Sequence, residues 1–544
     1  MAAGALLVAA LALPIAMLLA CLWRRARDRM LALLALAPLP GLAAALLASG
    51  APPLVLDEAQ LQFTLALDAP GAILLGVAAL LWSAAGAYAW RYLKGDAKGG
   101  RFAVWWLLTL TGSLGVFFAG DLASFYLTFG LASLAAWGLV IHDATPRAVY
   151  AGAIYLALAV VGEICLLLAF ALLAAATPGP SLAIREVVAL LPASPARGLT
   201  LALLIAGFGL KMGLVPLHVW LPLAHPAAPM PASAVLSGAI IKAGVIGLIR
   251  FLPFVDAMSG WGGMLAGLGL LTAYYGVAVG ITQANPKTVL AYSSVSQMGL
   301  VAAVVGTALA AGDGGATLAA AFYAAHHVLA KGALFLAVGV AATTGARRLW
   351  PVLLPAAVLA LGFGGLPLTG GALAKLAVKA PLGDGVVGVL AALAGAGSTL
   401  LMLHFLARLR SNAPSDAAAG VASGLIWPWL AMAFAAVAVP WGLFLAAGIG
   451  TLAEAVAPAA LWAALWPVLL GVLLAALLRR FGHRLPRVPE GDVVVLAERV
   501  ARASLPWGDA LVRADAVLRE WPIAGLALLA IVVILGVAVF GQIK

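Results

Sequence analysis

The sequence predicts an all-α polytopic membrane protein with about 16 transmembrane helices. Three observations carry that prediction. Of the 544 residues, 65% are hydrophobic and 9% charged, where a soluble domain has about 25% charged. Apolar runs recur from end to end, each long enough to cross a hydrocarbon core of ~30 Å. The basic residues outside these runs gather in alternate loops, as the positive-inside rule requires.

In chain order the spans fall near 4–22, 30–49, 70–90, 102–120, 122–141, 148–175, 199–223, 231–252, 260–281, 287–311, 316–342, 350–380, 386–406, 425–448, 458–478 and 521–541. The first lacks an obvious small-residue cleavage site, and Arg24 to Arg29 follow it rather than precede it, so it reads as a retained helix. Cys21 and Cys165 both fall in apolar spans, which argues against a disulfide framework or a metal cluster. No metal or cofactor is expected.

The net charge of +11 invites a nucleic-acid reading, but its placement excludes one. With the N-terminus outside, inside loops hold 22 of the 31 basic residues, Arg24, Arg147, Lys287 and Arg408 among them. Outside lie 4, Arg185, Arg197, Arg250 and Lys544. This split places the chain in a cell inner membrane with both termini on the outer side.

The remaining five lysines, Lys211, Lys242, Lys331, Lys375 and Lys379, lie within spans. A lysine at the bilayer centre costs at least ~2.5–3.5 kcal/mol, so such residues default to function. Lys211 opens the run KMGLVPLHVWLPLAHPAAPMPASAVLSGAIIKAG, where Pro216 and Pro222 break the helix and His218 and His225 flank the break. Lys242 sits midway along the next span. In AAHHVLAKGALF, His327 and Lys331 are four residues apart and share one helical face, with His326 beside them. Lys375 follows a second break at Pro367 in GFGGLPLTGGALAK. Desolvated lysines can exchange protons near neutral pH, and histidine relays between them. His218 and His225 suit either proton transfer or the capping of freed carbonyls. Lys379 snorkels equally well, and His142, His404 and His483 sit near span ends in structural positions.

Two lysine-bearing broken spans about five helices apart suggest two inverted five-helix repeats whose half-channels meet near mid-membrane. The divisions expected are N-terminal helices at 1–100, a first half-channel repeat at 101–252 and a second at 260–410. C-terminal helices follow at 425–480, then an amphipathic lateral segment at 481–520 and a terminal span at 521–544.

The run from Lys211 to Arg250 resembles the antiporter-like subunits of respiratory complex I and its relatives. Those relatives are Mrp-type sodium/proton antiporters, membrane-bound hydrogenases, formate hydrogenlyases and inorganic-carbon-accumulating complexes. DLASFY at 121–126, NPKTVLAYSSVSQMG at 285–299, HVLAKGALF at 327–335 and GLPLTGGALAK at 365–375 match as well, so the similarity covers roughly residues 70–410. The resemblance implies that Lys211 is the broken-helix lysine, Lys331 the central-axis lysine and Lys375 the exit-side lysine. It also implies a lateral helix lying along neighbouring subunits. From Val493 to Leu518 the apolar residues do recur at helical spacing.

One departure stands out. The family usually carries a glutamate shortly after the D-L-x-x-F-Y run, and Gly130 occupies that position here. Glu163 is the one acidic residue deep within a span, and it is expected to partner Lys211 from the neighbouring helix. A protonated Glu163 bonded to a carbonyl is the structural alternative.

The function expected is that of a proton-translocating, antiporter-like subunit in an energy-converting membrane complex, driven by a redox or hydrogenase arm. Two alternatives stay open: a proton-fed subunit powering a soluble carbonic-anhydrase-like partner, and a stand-alone cation/proton antiporter. No nucleotide loop, zinc cluster, flavin or iron–sulfur motif is present, so redox catalysis is not expected of this chain. Its partners are other subunits, contacted partly through 481–520, the lipid bilayer and protons, with Na+ left open.

Overall fold

The computed structural model describes residues 2–58, 61–179, 181–414, 423–481 and 486–500. Met1–Glu490 make one compact unit and Gly491–Lys544 another; within the latter, residues 492–500 are described and are helical. Most of the expected lateral segment and the whole 521–541 span lie outside the described residues.

The protein is a multi-pass α-helical membrane protein. Among the described residues, 11 helices are long and apolar enough to cross a bilayer. The two breaks read from the sequence are real, and each replaces one span by two half-helices: Arg197–Met212 with Trp220–Ala227, and Trp350–Gly364 with Gly370–Leu382. Two further runs are shorter than expected. The 30–49 run becomes a 3-10 turn and a helix at Leu39–Leu47, with Pro38 standing just ahead of that helix. Gly99–Gly115 stops at 17 residues.

Beside its helices the fold carries one short hairpin. Leu54–Glu58 and Leu61–Leu65 pair as an antiparallel hairpin, with Leu54 opposite Leu65. Aspartate fastens this hairpin to the helices: Asp121 accepts from the Thr64 amide at 2.5 Å and caps helix Leu122–Val140 through the Ser124 amide at 2.8 Å. The aspartate of DLASFY is therefore a cap, satisfying donors that a helix start leaves open.

Met230–Phe251 and Ala316–Ala342 each carry an 18-residue stretch wholly enclosed by protein. Lipid does not reach their polar residues, so lysines there need only protein or water as partners. Pro458–Phe481, in contrast, is mostly on the outside.

Arg250, counted as an outside-loop charge, is a buried staple instead. Its guanidinium forks onto both oxygens of Asp68 at 2.8 and 3.2 Å, and also donates to the carbonyls of Val116, Phe117 and Ala119. Burial alone would raise the Asp68 carboxyl, but Arg250 and the Gly71 amide hold it below its ordinary value. Breaking a buried pair by removing one partner costs about 3–5 kcal/mol. Arg250→Ala is expected to lose stability of that order, read as a lower thermal midpoint in detergent. The pair's contribution is complete above the carboxyl's ordinary value of 3.8 and is lost as pH falls through the lower folded value.

Candidate functional site

The first break builds its site from freed backbone. Helix Arg197–Met212 ends on Gly213, whose φ of 81° is left-handed, a conformation open to glycine without a Cβ penalty. Trp220 Nε1 caps the loose Leu210 carbonyl at 3.0 Å. Pro216 lies inside the break. Pro222 lies in the first turn of the resumed helix, where its missing N–H costs nothing. Lys211, buried in the last turn before the break, donates to Ser133 Oγ at 2.8 Å. The rings of Phe129 and Tyr155 lie 5.5 and 6.0 Å from its ammonium.

Glu163 reaches this place from helix Pro146–Ala175. A Cβ added at Gly130 would stand 3.5 Å from Glu163 Oε2, so the carboxylate occupies the space that a side chain at 130 would enter. No direct ion pair joins Glu163 to Lys211. The carboxylate makes no hydrogen bond in this structure. It faces Gly130, and Ser133, which accepts from Lys211, stands one turn along the same helix.

A second cluster occupies the axis. A π-helical turn at Leu236–Ile240 precedes Lys242, and such turns recur at functional sites because they release backbone groups. Lys242 Nζ donates to the Ser237 carbonyl at 3.2 Å and contacts His327 Nδ1 at 2.5 Å. Two cations cannot share so short a contact, so at most one of the two groups is charged. Ser237 Oγ meets Ser294 Oγ at 2.7 Å. Ser294 in turn donates to the Leu290 carbonyl at 3.1 Å, which also accepts from Lys331 Nζ at 2.9 Å. Lys242 thus touches His327 directly, while Lys331 shares the Leu290 carbonyl with Ser294, the hydroxyl partner of Ser237.

The file continues toward the second break. His326 is buried with both ring nitrogens unbonded, as is His225, which stacks on Phe335 with ring centroids 4.7 Å apart. Buried polar groups without a protein partner are ordinarily satisfied by water. The His326 nitrogens face Gly370 and Gly371, at 2.9 and 3.1 Å from where a Cβ would stand. Lys375, one helical turn further on, donates to the Gly364 carbonyl at 2.5 Å. Its ammonium presses against helix Val386–Ser411 at Gly395, where a Cβ would fall 2.2 Å from Nζ. Pro367 lies in this second break.

The predicted residues therefore form two groups. Glu163 faces Gly130 and Lys211 bonds Ser133, one turn along the same helix. Lys242, His327, Lys331, His326 and Lys375 line the axis, with His225 alongside. His218 lies apart from both, its ring 5.0 Å from Tyr275 and 6.1 Å from Tyr292. His142 pairs with Asp96 at 2.9 Å and His404 contacts the Gln283 carbonyl at 2.8 Å. The sequence reading missed Ser133, Ser237 and Ser294, and also a side network in which Tyr323 donates to Gln297 and Gln297 to Ser398, at 2.7 and 2.9 Å. The polar density of AYSSVSQ within an apolar helix was the available signal.

Fold and side chains together define a class: a polytopic helical membrane protein with a file of buried lysines and histidines between two broken helices. The family model described as NADH:quinone oxidoreductase/Mrp antiporter, transmembrane region, matches residues 119–401, more than half of the chain. The chain belongs to this family. It is 31% identical over 291 residues to hydrogenase-4 component B of Escherichia coli (strain K12), covering 51% of this chain and 43% of that protein. With NADH-quinone oxidoreductase subunit N of Desulforudis audaxviator it shares 35% over 286 residues, 50% of this chain and 54% of that one. The chain thus spans about half the length of these curated relatives or less. Among solved structures, the Mrp complex of a Dietzia species matches with a TM-score of 0.76 at 23% identity, covering 100% of this chain and 63% of that one. The membrane-bound sulfane sulfur reductase, an archaeal respiratory membrane complex, matches at 0.68 and 21%, covering 97% and 99%.

Proposed function

We propose that the chain is a proton-translocating, antiporter-like subunit of an energy-converting membrane complex. The observation that carries this reading is the Lys242–His327 contact, with Lys331 enclosed nearby and bonded to the Leu290 carbonyl that Ser294 also uses. Buried amines and imidazoles grouped along one path, with water to bridge them, are what a proton needs to cross a medium that excludes free ions. Lys211 with Glu163 serves one half-channel, and Lys375 with His326 serves the other. Other membrane subunits supply the driving reaction, and the 481–520 segment is the handle by which they hold this one. The charge split supports an orientation with the arginine-rich loops on the inside of a cell inner membrane.

The test is reconstitution. The complex purified through this chain, placed in sealed vesicles and supplied with the reaction of its partner subunits, should acidify or alkalinise the lumen. Repeating the measurement with choline in place of Na+ decides which ion moves. Isolation of the chain alone, or full partner turnover with no ion movement, defeats the reading.

A further inference from the structure

Lys287 stands in the first turn of helix Pro286–Ala311, yet only 6% of it is exposed. The charge count had placed it in a solvated loop. A cation in the first turn is at the wrong end of the helix dipole, which favours anions there, so its burial requires compensation. Its ammonium donates to the Ala228 carbonyl, the C-cap of the short helix that carries His225. Asp143 and Arg147 are the charges that act on it.

Residues 486–490 lie across this place as a strap. Glu490 pairs with Arg147 through one oxygen, and its other oxygen accepts from Thr288 Oγ1 at 2.7 Å. Two residues earlier, the Val488 carbonyl accepts from Gln283 Nε2 at 3.0 Å. Inward of Lys287 lies the buried His225, whose imidazole nitrogens have no protein partner. That ring stacks on Phe335, one helical turn beyond Lys331, while Lys287 holds the carbonyl three residues after His225. One lysine thus stands at the arginine-rich face, one on the axis, and an unbonded imidazole near both.

We propose that Lys287 is a proton-loading site, passing protons from the arginine-rich face through His225 to Lys331, with Glu490 covering its mouth. The inference rests on the reading that the chain moves protons. In the step itself, the Lys287 ammonium leaves the Ala228 carbonyl and gives one proton to an imidazole nitrogen of His225. It becomes a neutral amine and is recharged by a proton from water at the face. His225, now an imidazolium, hands a proton to the neutral amine of Lys331 and is restored. The competing role is a clamp, in which Lys287 only holds the Ala228 carbonyl.

Four variants of the intact complex in sealed vesicles separate these. Lys331→Ala tests the underlying reading, and full proton movement in it removes that reading and the proposal together. With Lys331→Ala inactive, Lys287→Arg is decisive: arginine keeps the charge and can hold the carbonyl, but does not release a proton. We expect it to assemble and to slow proton movement at least tenfold; wild-type rates make Lys287 a clamp and overturn the proposal. Lys287→Cys, with Cys21 and Cys165 replaced by alanine, should show a similar loss. Aminoethyl methanethiosulfonate, which rebuilds a titratable amine on the thiol, should restore it only when added at the arginine-rich face. Failure to restore an assembled complex overturns the proposal too, as does restoration from the opposite face alone. Glu490→Gln should speed modification of that thiol severalfold, and an unchanged labelling rate removes Glu490 from the mouth.

Discussion

Lys331→Ala is expected to stop proton movement while leaving the complex assembled. The lysine is fully enclosed on helix Ala316–Ala342, with its ammonium 5.0 Å from the Phe363 ring. Its one hydrogen bond goes to the Leu290 carbonyl, which keeps Ser294 as a partner when the lysine is gone. The substitution therefore removes a costly buried charge without orphaning a buried acceptor, and folding should tolerate it. Function should not, because Lys331 is the enclosed amine that shares the Leu290 carbonyl beside the Lys242–His327 pair. Positioned proton-transfer groups contribute about 10²–10⁴-fold, so a loss of at least ~100-fold is expected in the initial rate of vesicle acidification. Lys331→Arg should fail nearly as badly, since a guanidinium holds its proton. Normal abundance of the complex on a native gel, with wild-type ion movement in either variant, reduces Lys331 to a packing residue.

Much of this was legible in the sequence, for a physical reason. A lysine in hydrocarbon-compatible sequence is costly enough to announce itself: Lys211, Lys242 and Lys331 turn out to be buried and Lys375 half-buried. Proline and glycine mark both helix breaks for an equally simple reason, the loss of an N–H and the tolerance of left-handed backbone. The serines were not legible. Ser294 bonds the carbonyl four residues back, which lets a hydroxyl sit in an apolar helix without disturbing its pattern. Its second contact, to Ser237, comes from tertiary packing alone. Lys287 and Arg250 were misplaced because a charge at a span end looks the same in sequence whether it faces water or protein. The hairpin at 54–65 was hidden because ten residues of mixed polarity between two apolar runs read as a loop.

Glu163→Gln is expected to impair coupling about as severely as Lys211→Ala, and the double variant to be little worse than either. The argument is geometric. The family resemblance puts a glutamate at the position of Gly130, on the helix that also carries Ser133. Here the carboxylate arrives from the next helix and ends 3.5 Å from where a Cβ at 130 would be. Ser133, on the helix of Gly130, accepts from Lys211. Two unit charges ~4 Å apart would interact by about 4 kcal/mol at an effective dielectric of ~20; Glu163 and Lys211 form no direct ion pair and interact by less, in the sense that favours the charged lysine. Residues that act as one unit show non-additive losses; additive ones would assign Glu163 and Lys211 to separate tasks. A relocation gives the sharper test. Gly130→Glu alone should harm, because it crowds two carboxylates into one space. Gly130→Glu combined with Glu163→Ala should recover most of the rate that Glu163→Ala loses, because the acid again faces Ser133 and Lys211. The measurement is the initial rate of ion movement in vesicles holding equal amounts of assembled complex. A relocated acid that restores nothing, beside a Glu163→Gln variant of normal rate, would show that the first half-channel works without a carboxylate and that Glu163 is only packed there.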